Sequence, residues 1–408
     1  MEESRSTRRQ RSSQPDDLDT GTDRVSALPD DLLLLVLACL GCVSTAGSTG
    51  LVSRRWRDLW TGLRKLVFRN VAFPSIEAAL SRISPGVSLL DIAIPQQAEA
   101  IPTEELQANT ASVSSLLRAA ARLDPEELVF SIPSGLLSIL TRNSIDLPSF
   151  RRATSILIQS DSFLVLSPTG SDEHRFLCLK RCVCQLKELT VSIVSSPEAS
   201  IHVLAPKVEK LWWVCAFPSE TIGFALWCLE KLMFQTGQRE GQPTSLKIHA
   251  RNGSLHFSPE IANFVREIKK HMVTDFSVLE LRLRTMGHSF GALLSLILGM
   301  QEIRTTVKKL KVVLRRSTEQ ETCHADCACE PTEWTTQVIS LTALKEVKIS
   351  GFKGDNHEFD FLQLIIRSAP MLKGLTVVLA PESLSMNDVR AKVSNILGTL
   401  SSSLKLLG

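Results

Sequence analysis

Leu186-Lys187-Glu188-Leu189-Thr190-Val191, Val208-Glu209-Lys210-Leu211-Trp212-Trp213 and Leu229-Glu230-Lys231-Leu232-Met233-Phe234 share one form: an apolar residue and a charged pair precede a run that alternates apolar and polar. Alternation with a period of two buries one face of a strand and leaves the other in solvent. Leu189, Leu211 and Leu232 stand 22 and 21 residues apart, a spacing within the ~20–45 residues of stacked repeat units. Further copies occur at Val307-Lys308-Lys309-Leu310, Leu344-Lys345-Glu346-Val347 and Leu372-Lys373-Gly374-Leu375, with weaker ones near Leu128, Ile156, Leu246 and Leu281. From Leu246 onward the spacing is irregular, which predicts insertions between strands. The expectation is an α/β array with an extended concave face for binding; an ordinary α/β domain is the alternative.

Composition agrees with a folded chain and narrows its partners. Of 408 residues, 44% are hydrophobic and 22% charged, too apolar for general disorder. This length predicts two units or an elongated array rather than one compact core. The net charge of +3, from 46 basic and 43 acidic side chains, gives no strong field to hold nucleic acid. The longest apolar runs, around Leu32–Leu40 and Phe290–Met300, fall short of the ~20 residues that cross a bilayer, and no secretory signal precedes the first. The expected setting is the cytoplasm or nucleus, without membrane contact. The ten cysteines read as reduced thiols, many of them buried. Residues 1–22 lack large apolar side chains and read as a disordered tail, in which Arg8-Arg9-Gln10-Arg11 is incidental charge.

At Ser26-Ala27-Leu28-Pro29-Asp30-Asp31 the character changes. Pro29 presets φ for a first helical turn, and Asp30 and Asp31 suit the positive end of the dipole. Leu28, Leu32, Leu33, Val36, Leu37 and Leu40 then recur at helical steps as one broad stripe, and Gly41 is placed to cap the end. A second amphipathic stretch, Leu51 to Trp60, puts Val52, Trp56, Leu59 and Trp60 on one face and predicts another short helix. Helices this short cannot bury both stripes against each other. Either a partner or the rest of the chain covers them.

Asp23-Arg24-Val25-Ser26-Ala27-Leu28-Pro29-Asp30-Asp31-Leu32-Leu33, followed by Leu51-Val52-Ser53-Arg54-Arg55-Trp56-Arg57-Asp58-Leu59-Trp60, resembles a plant F-box over residues 23–68. The resemblance implies three short helices that dock on a Skp-type adaptor, and through it on cullin. By the same resemblance the contact falls to Leu28, Pro29, Leu32, Leu33, Val36, Leu40, Val52, Trp56, Leu59 and Trp60. The departure from the family lies at Ser44-Thr45-Ala46-Gly47-Ser48-Thr49-Gly50, where glycine costs a helix about 1 kcal/mol relative to alanine. A short or frayed middle helix is expected. The repeat period fits leucine-rich repeats, so residues 69–330 read as an irregular solenoid. Residues 331–408 resemble the FBD-type region of grass F-box proteins, through Leu344-Lys345-Glu346-Val347-Lys348-Ile349-Ser350-Gly351-Phe352 and His357-Glu358-Phe359-Asp360-Phe361-Leu362. The implied function is that of a non-enzymatic ligase subunit that selects an unknown target protein. A stand-alone repeat binder is the alternative.

Three features invite chemistry. Gly287-His288-Ser289-Phe290-Gly291 fits the G-x-S-x-G elbow of a serine hydrolase, but Arg282 and Arg284 alternate along the preceding strand, where a hydrolase strand is apolar on both faces. Cys323, Cys327 and Cys329, with His324, approach zinc-ligand spacing, but lack a second C-x2-C pair and read as a surface loop. Cys178, Cys182 and Cys184, and likewise Cys39 and Cys42, sit in apolar periodic segments and read as core. No histidine pair has ligand spacing and no phosphate loop is present. No cofactor and no metal are expected.

Overall fold

The computed structural model describes residues 28–94, 103–132, 150–163, 185–194, 208–217, 221–237, 243–253, 261–272, 275–316, 332–381, 386–397 and 403–407, with short pieces at 144–146, 148, 165–167, 176–178 and 200–202. The expected disordered tail over residues 1–22, Cys182, Cys184 and the cluster Cys323, Cys327 and Cys329 lie outside the described residues.

Helix α1 (Asp30–Cys39) begins after Pro29, with Asp30 and Asp31 in its first turn, and Gly41 ends it at a φ of +72° that suits a residue without Cβ. Helix α2 (Val43–Ser48) is six residues long and runs into a 3-10 turn at Thr49–Leu51. The α-helix expected over Leu51–Trp60 is not formed. The chain there makes three-residue turns, in which the Trp56 N–H donates to the Ser53 carbonyl at 3.2 Å, and a 3-10 helix at Leu59–Gly62. Short helices hold only when a packed face supports them. Here Trp56 and Trp60 are buried while Leu51 and Val52 stand in solvent, so the stripe is broken. Two α-helices and two 3-10 turns thus occupy the place of the three expected helices.

The strands are β1 (Lys65–Phe68), β2 (Leu89–Ala93), β3 (Glu127–Ile132), β4 (Ser144–Asp146), β5 (Ser155–Phe163), β6 (Val165–Ser167), β7 (Phe176–Cys178), β8 (Glu188–Val194), β9 (Ser200–His202), β10 (Lys210–Ala216), β11 (Gly223–Phe224), β12 (Trp227–Gln235), β13 (Ser245–Asn252), β14 (Val278–Arg284), β15 (Lys309–Arg315), β16 (Glu346–Phe352), β17 (Gly374–Leu379) and β18 (Ser403–Leu407). Between them lie α3 (Phe73–Arg82), α4 (Thr103–Leu123), α5 (Ile261–Lys270), α6 (Gly291–Leu298), α7 (Gln301–Thr306), α8 (Asn356–Ser368) and α9 (Met386–Leu397). One mixed α/β sheet runs β1-β2-β3-β5-β8-β10-β12-β13-β14-β15-β16-β17-β18, with β11 against β12. The strands β4 and β6, and β7 and β9, form two small separate pairs.

The sheet is laid down in chain order, and its register explains why leucines recur. Leu66, Leu90, Leu128, Ile156, Leu189 and Leu211 stand opposite one another in successive parallel strands. Beyond β12, where Leu246 lies opposite Phe234 and so in line with Trp213, a column of the same kind runs through Leu246, Leu279, Leu310, Val347, Leu375 and Leu404. A second column, two residues on, runs through Phe68, Ile92, Phe130, Ile158, Val191 and Trp213. The side chains of these columns up to Leu375 are buried with Leu80 of α3, Leu294 of α6 and Phe361 of α8 in one continuous core. The helices thus cover one face, and the alternate positions form an open one.

Strand β12 departs from the sequence reading. It is antiparallel to both β10 and β13, so Leu232 lies opposite Cys215 rather than Leu211 and is not the third member of its series. The connections at 217–226 and 236–244 are shorter than the dozen or so residues that a parallel crossover requires. From β13 onward the irregular spacing comes from helical crossovers of unequal length, α5 through α9. Cys215 and Cys228 are buried, but Cys39 is exposed, because it lies one turn after Leu35 on the outward side of α1.

Gly351 marks a bulge in β16 against β17. At a φ of +79°, a Cβ there would stand 2.2 Å from the Leu314 carbonyl oxygen.

Candidate functional site

Two surfaces are candidates for function: the outer side of the N-terminal helices and the open face of the sheet. In α1, Leu33 and Leu37 point into the core, while Leu32, Leu35 (63% exposed), Val36 (44%) and Leu40 point away from it. A helix apolar on both sides within a surface unit leaves one side unpartnered. Leu51 (91%) and Val52 (79%) form a second exposed apolar corner, beside a cleft of about 510 Å³ lined by Val43, Gly47, Trp60 and Arg82, among others.

The ten positions carried over by resemblance divide cleanly. Pro29, Leu32, Val36, Leu40 and Val52 are exposed, Leu28 and Leu59 are half-buried, and Leu33, Trp56 and Trp60 are buried. Leu35 and Leu51 were missed, although the unbroken run Leu32–Leu37 signals a helix with apolar residues all round.

The polar frame that holds this unit was not legible. Arg55 donates from Nε to Asp30 at 2.8 Å and from Nη2 to the Leu28 carbonyl at 2.5 Å, tying the Trp56 segment to the start of α1. Arg82 pairs with Asp58 and lies 5.3 Å over the Trp60 ring, which fastens the unit to α3. Arg69 forms a two-pronged pair with Asp91 across β1 and β2.

Ser289 is buried at the foot of α6. The left-handed residues of its loop are Met286 (φ +44°) and Gly287 (φ +81°), so the sharp turn that an elbow places at the nucleophile falls before the serine. His357 packs its ring edge-on against Phe290, the residue after Ser289, at 5.3 Å.

Asp355, His357 and Glu358 bring three ligand atoms within 4.8 Å. The carboxylates already have work there. Asp355 and Glu358 form the capping box of α8, Glu358 accepts the Lys353 and Gly354 N–H groups at 2.9 and 2.7 Å, and Arg316 pairs with both acids. Burial pushes the Glu358 carboxyl up, against the opposing pull of Arg316. Arg316 thus already supplies both carboxylates with a permanent positive charge. No described helix is long and apolar enough to cross a membrane.

Comparison with known proteins bears on both ends of the sheet. Residues 25–68 match the F-box domain and residues 341–377 match the FBD. The chain is similar, at 23% identity over 89% of its length and 98% of the relative's, to an FBD-associated F-box protein of Arabidopsis thaliana. An F-box/FBD/LRR-repeat protein of the same plant is 52% identical over 11% of this chain and 10% of its own. Another F-box/FBD/LRR-repeat protein from it is 47% identical over 12% of each chain. These relatives speak for a plant family and not for the narrower grass one. No solved structure matches.

Proposed function

We propose that this chain, an F-box/FBD protein of the plant kind, is the substrate-selecting subunit of a Skp–cullin–F-box ubiquitin ligase. The observation that carries the reading is the apolar outer side of α1, with Leu32, Leu35, Val36 and Leu40 exposed on an F-box. Burying such side chains on a Skp-type adaptor contributes about 1.5–3 kcal/mol each when complete. Leu33, Trp56 and Trp60 act from beneath, by holding that side in shape.

The sheet supports reading residues 69–330 and 331–408 as one leucine-rich-repeat solenoid whose open face holds the target, with the F-box at 23–68. Ubiquitin transfer is then a matter of proximity: a partner enzyme carries the ubiquitin, and this chain raises the local concentration of an acceptor lysine. No side chain of its own has to react.

The test is co-purification with a plant Skp-type adaptor, comparing the intact chain with Leu35→Asp, Val36→Asp. Both positions are exposed, so the variant should keep its thermal melt and lose the adaptor. Absence of binding by the intact chain would turn the reading to a stand-alone repeat-binding module. The short α2 is the feature that favours that second reading.

A further inference from the structure

The open face of the sheet carries a band of like charge near the C-terminal ends of β13–β15, continued by Lys231 in the antiparallel β12. Lys231 lies opposite His249, and His249 opposite Arg282. In the next row outward, Arg251 lies opposite Arg284 and Arg284 opposite Arg315. Neighbouring strands are ~4.8 Å apart, and like charges set directly opposite destabilise a sheet. Folding alone gives no reason for such a row.

Two carboxylates answer the band. Glu230 lies 3.4 Å from Arg251 and 3.8 Å from Arg284, and Glu280 accepts from Arg282 at 2.5 Å. Lys231 and Arg315 have no carboxylate partner among the described residues, and the Arg284 side chain is 53% exposed. His249 registers the surplus. Burial, then Arg282 and Lys231, push its pKa down to about 4, with Glu280 pulling the other way, and its Nε2 is buried without a hydrogen-bond partner.

We propose that the ladder Arg251, Arg284 and Arg315 is the docking site for an acidic segment of the target protein. The row crosses three strands on a face that no described helix covers, so it presents guanidinium groups in a line, and guanidinium receives carboxylate in two-pronged, charge-assisted pairs. A linear run of Asp or Glu side chains fits that line. Nucleic acid fits it less well: single strands are held by aromatic stacking beside the charge, and none of the six positions in the two rows is Phe, Tyr or Trp, the one ring among them being the half-buried imidazole of His249. The inference rests on the reading of the repeats as the target-binding half of the chain.

The probe is fluorescein-labelled decaglutamate, titrated with the full chain and read by fluorescence anisotropy. The intact chain should bind it saturably, more weakly as salt rises. Arg251→Gln, Arg284→Gln, Arg315→Gln should weaken binding at least tenfold. Its thermal melt should hold or rise, because opposed like charges are gone. Lys65→Gln, Lys187→Gln, Lys345→Gln removes as much charge at the opposite ends of the strands and should leave binding within twofold. If the triple arginine variant melts lower, Arg315→Gln alone, at an exposed side chain, should still weaken binding severalfold.

Equal loss in the lysine control would overturn the site, as would no saturable binding by the intact chain or tighter binding of labelled oligothymidylate. Adaptor co-purification should be the same for both variants and the intact chain. Failure of the intact chain to hold the adaptor would sink the ligase reading and leave the anisotropy result to stand on its own.

Discussion

Glu358 is fully buried and accepts three backbone N–H groups at the head of α8 while it pairs with Arg316. Its removal leaves Arg316 without its closest partner, and breaking such a pair costs about 3 kcal/mol or more. Glu358→Ala should lower the unfolding free energy by that amount, read from urea titration, and Glu358→Gln, which keeps the N–H acceptor, by less. His249 carries a pH signature of known sign. Its pKa is 6.5 when free and about 4 in the fold, so the unfolded chain takes up a proton first. The stability it contributes is present above pH 6.5 and is lost as pH falls towards 4. Urea titrations at pH 7 and pH 5 should show a smaller decline in His249→Gln. At this scale the sequence was legible wherever a residue acts through its own strand, as Leu189 and Leu310 do. It was silent on Arg55 with Asp30 and on Arg316 with Glu358, because such partners lie far along the chain and are joined only by the fold.

Helix α1 shows how far a periodic pattern reaches. The apolar stripe was legible, but it joined two sides with different duties, since the pattern alone does not say which one the rest of the chain covers. The division predicts opposite phenotypes. Leu37→Ala empties a core site and should cost about 2–5 kcal/mol, read as a lower melting temperature. Leu35→Asp, on the outer side, should leave the melt within a degree or two. The Leu51–Trp60 stretch failed as a helix for a related reason: a face not covered within this chain gives no support to helical turns. The reversal of β12 was invisible because alternation is the same read in either direction, and only the lengths of its two connections hinted at it.

In the whole molecule the charge columns and the leucine columns are consequences of one register. A shift of any strand by one residue would exchange them, turning Leu279 outward and Glu280 inward, so the core fixes the register and with it the arginine row. The early expectation of a repeat array came from segments that proved to be adjacent parallel strands, β8 and β10. The matches to the F-box and the FBD fall towards opposite ends of one continuous sheet.

Because every strand of the main sheet after β1, the short β11 excepted, pairs with one that precedes it in the sequence, the template for each is complete before the strand itself exists. Such a chain is able to fold as it leaves the ribosome, at the pace of synthesis, ~5–20 residues per second. At no stage does a finished strand wait for a distant mate. The apolar edge exposed to the cell is then only ever one strand long, and it is capped again each time the next unit emerges.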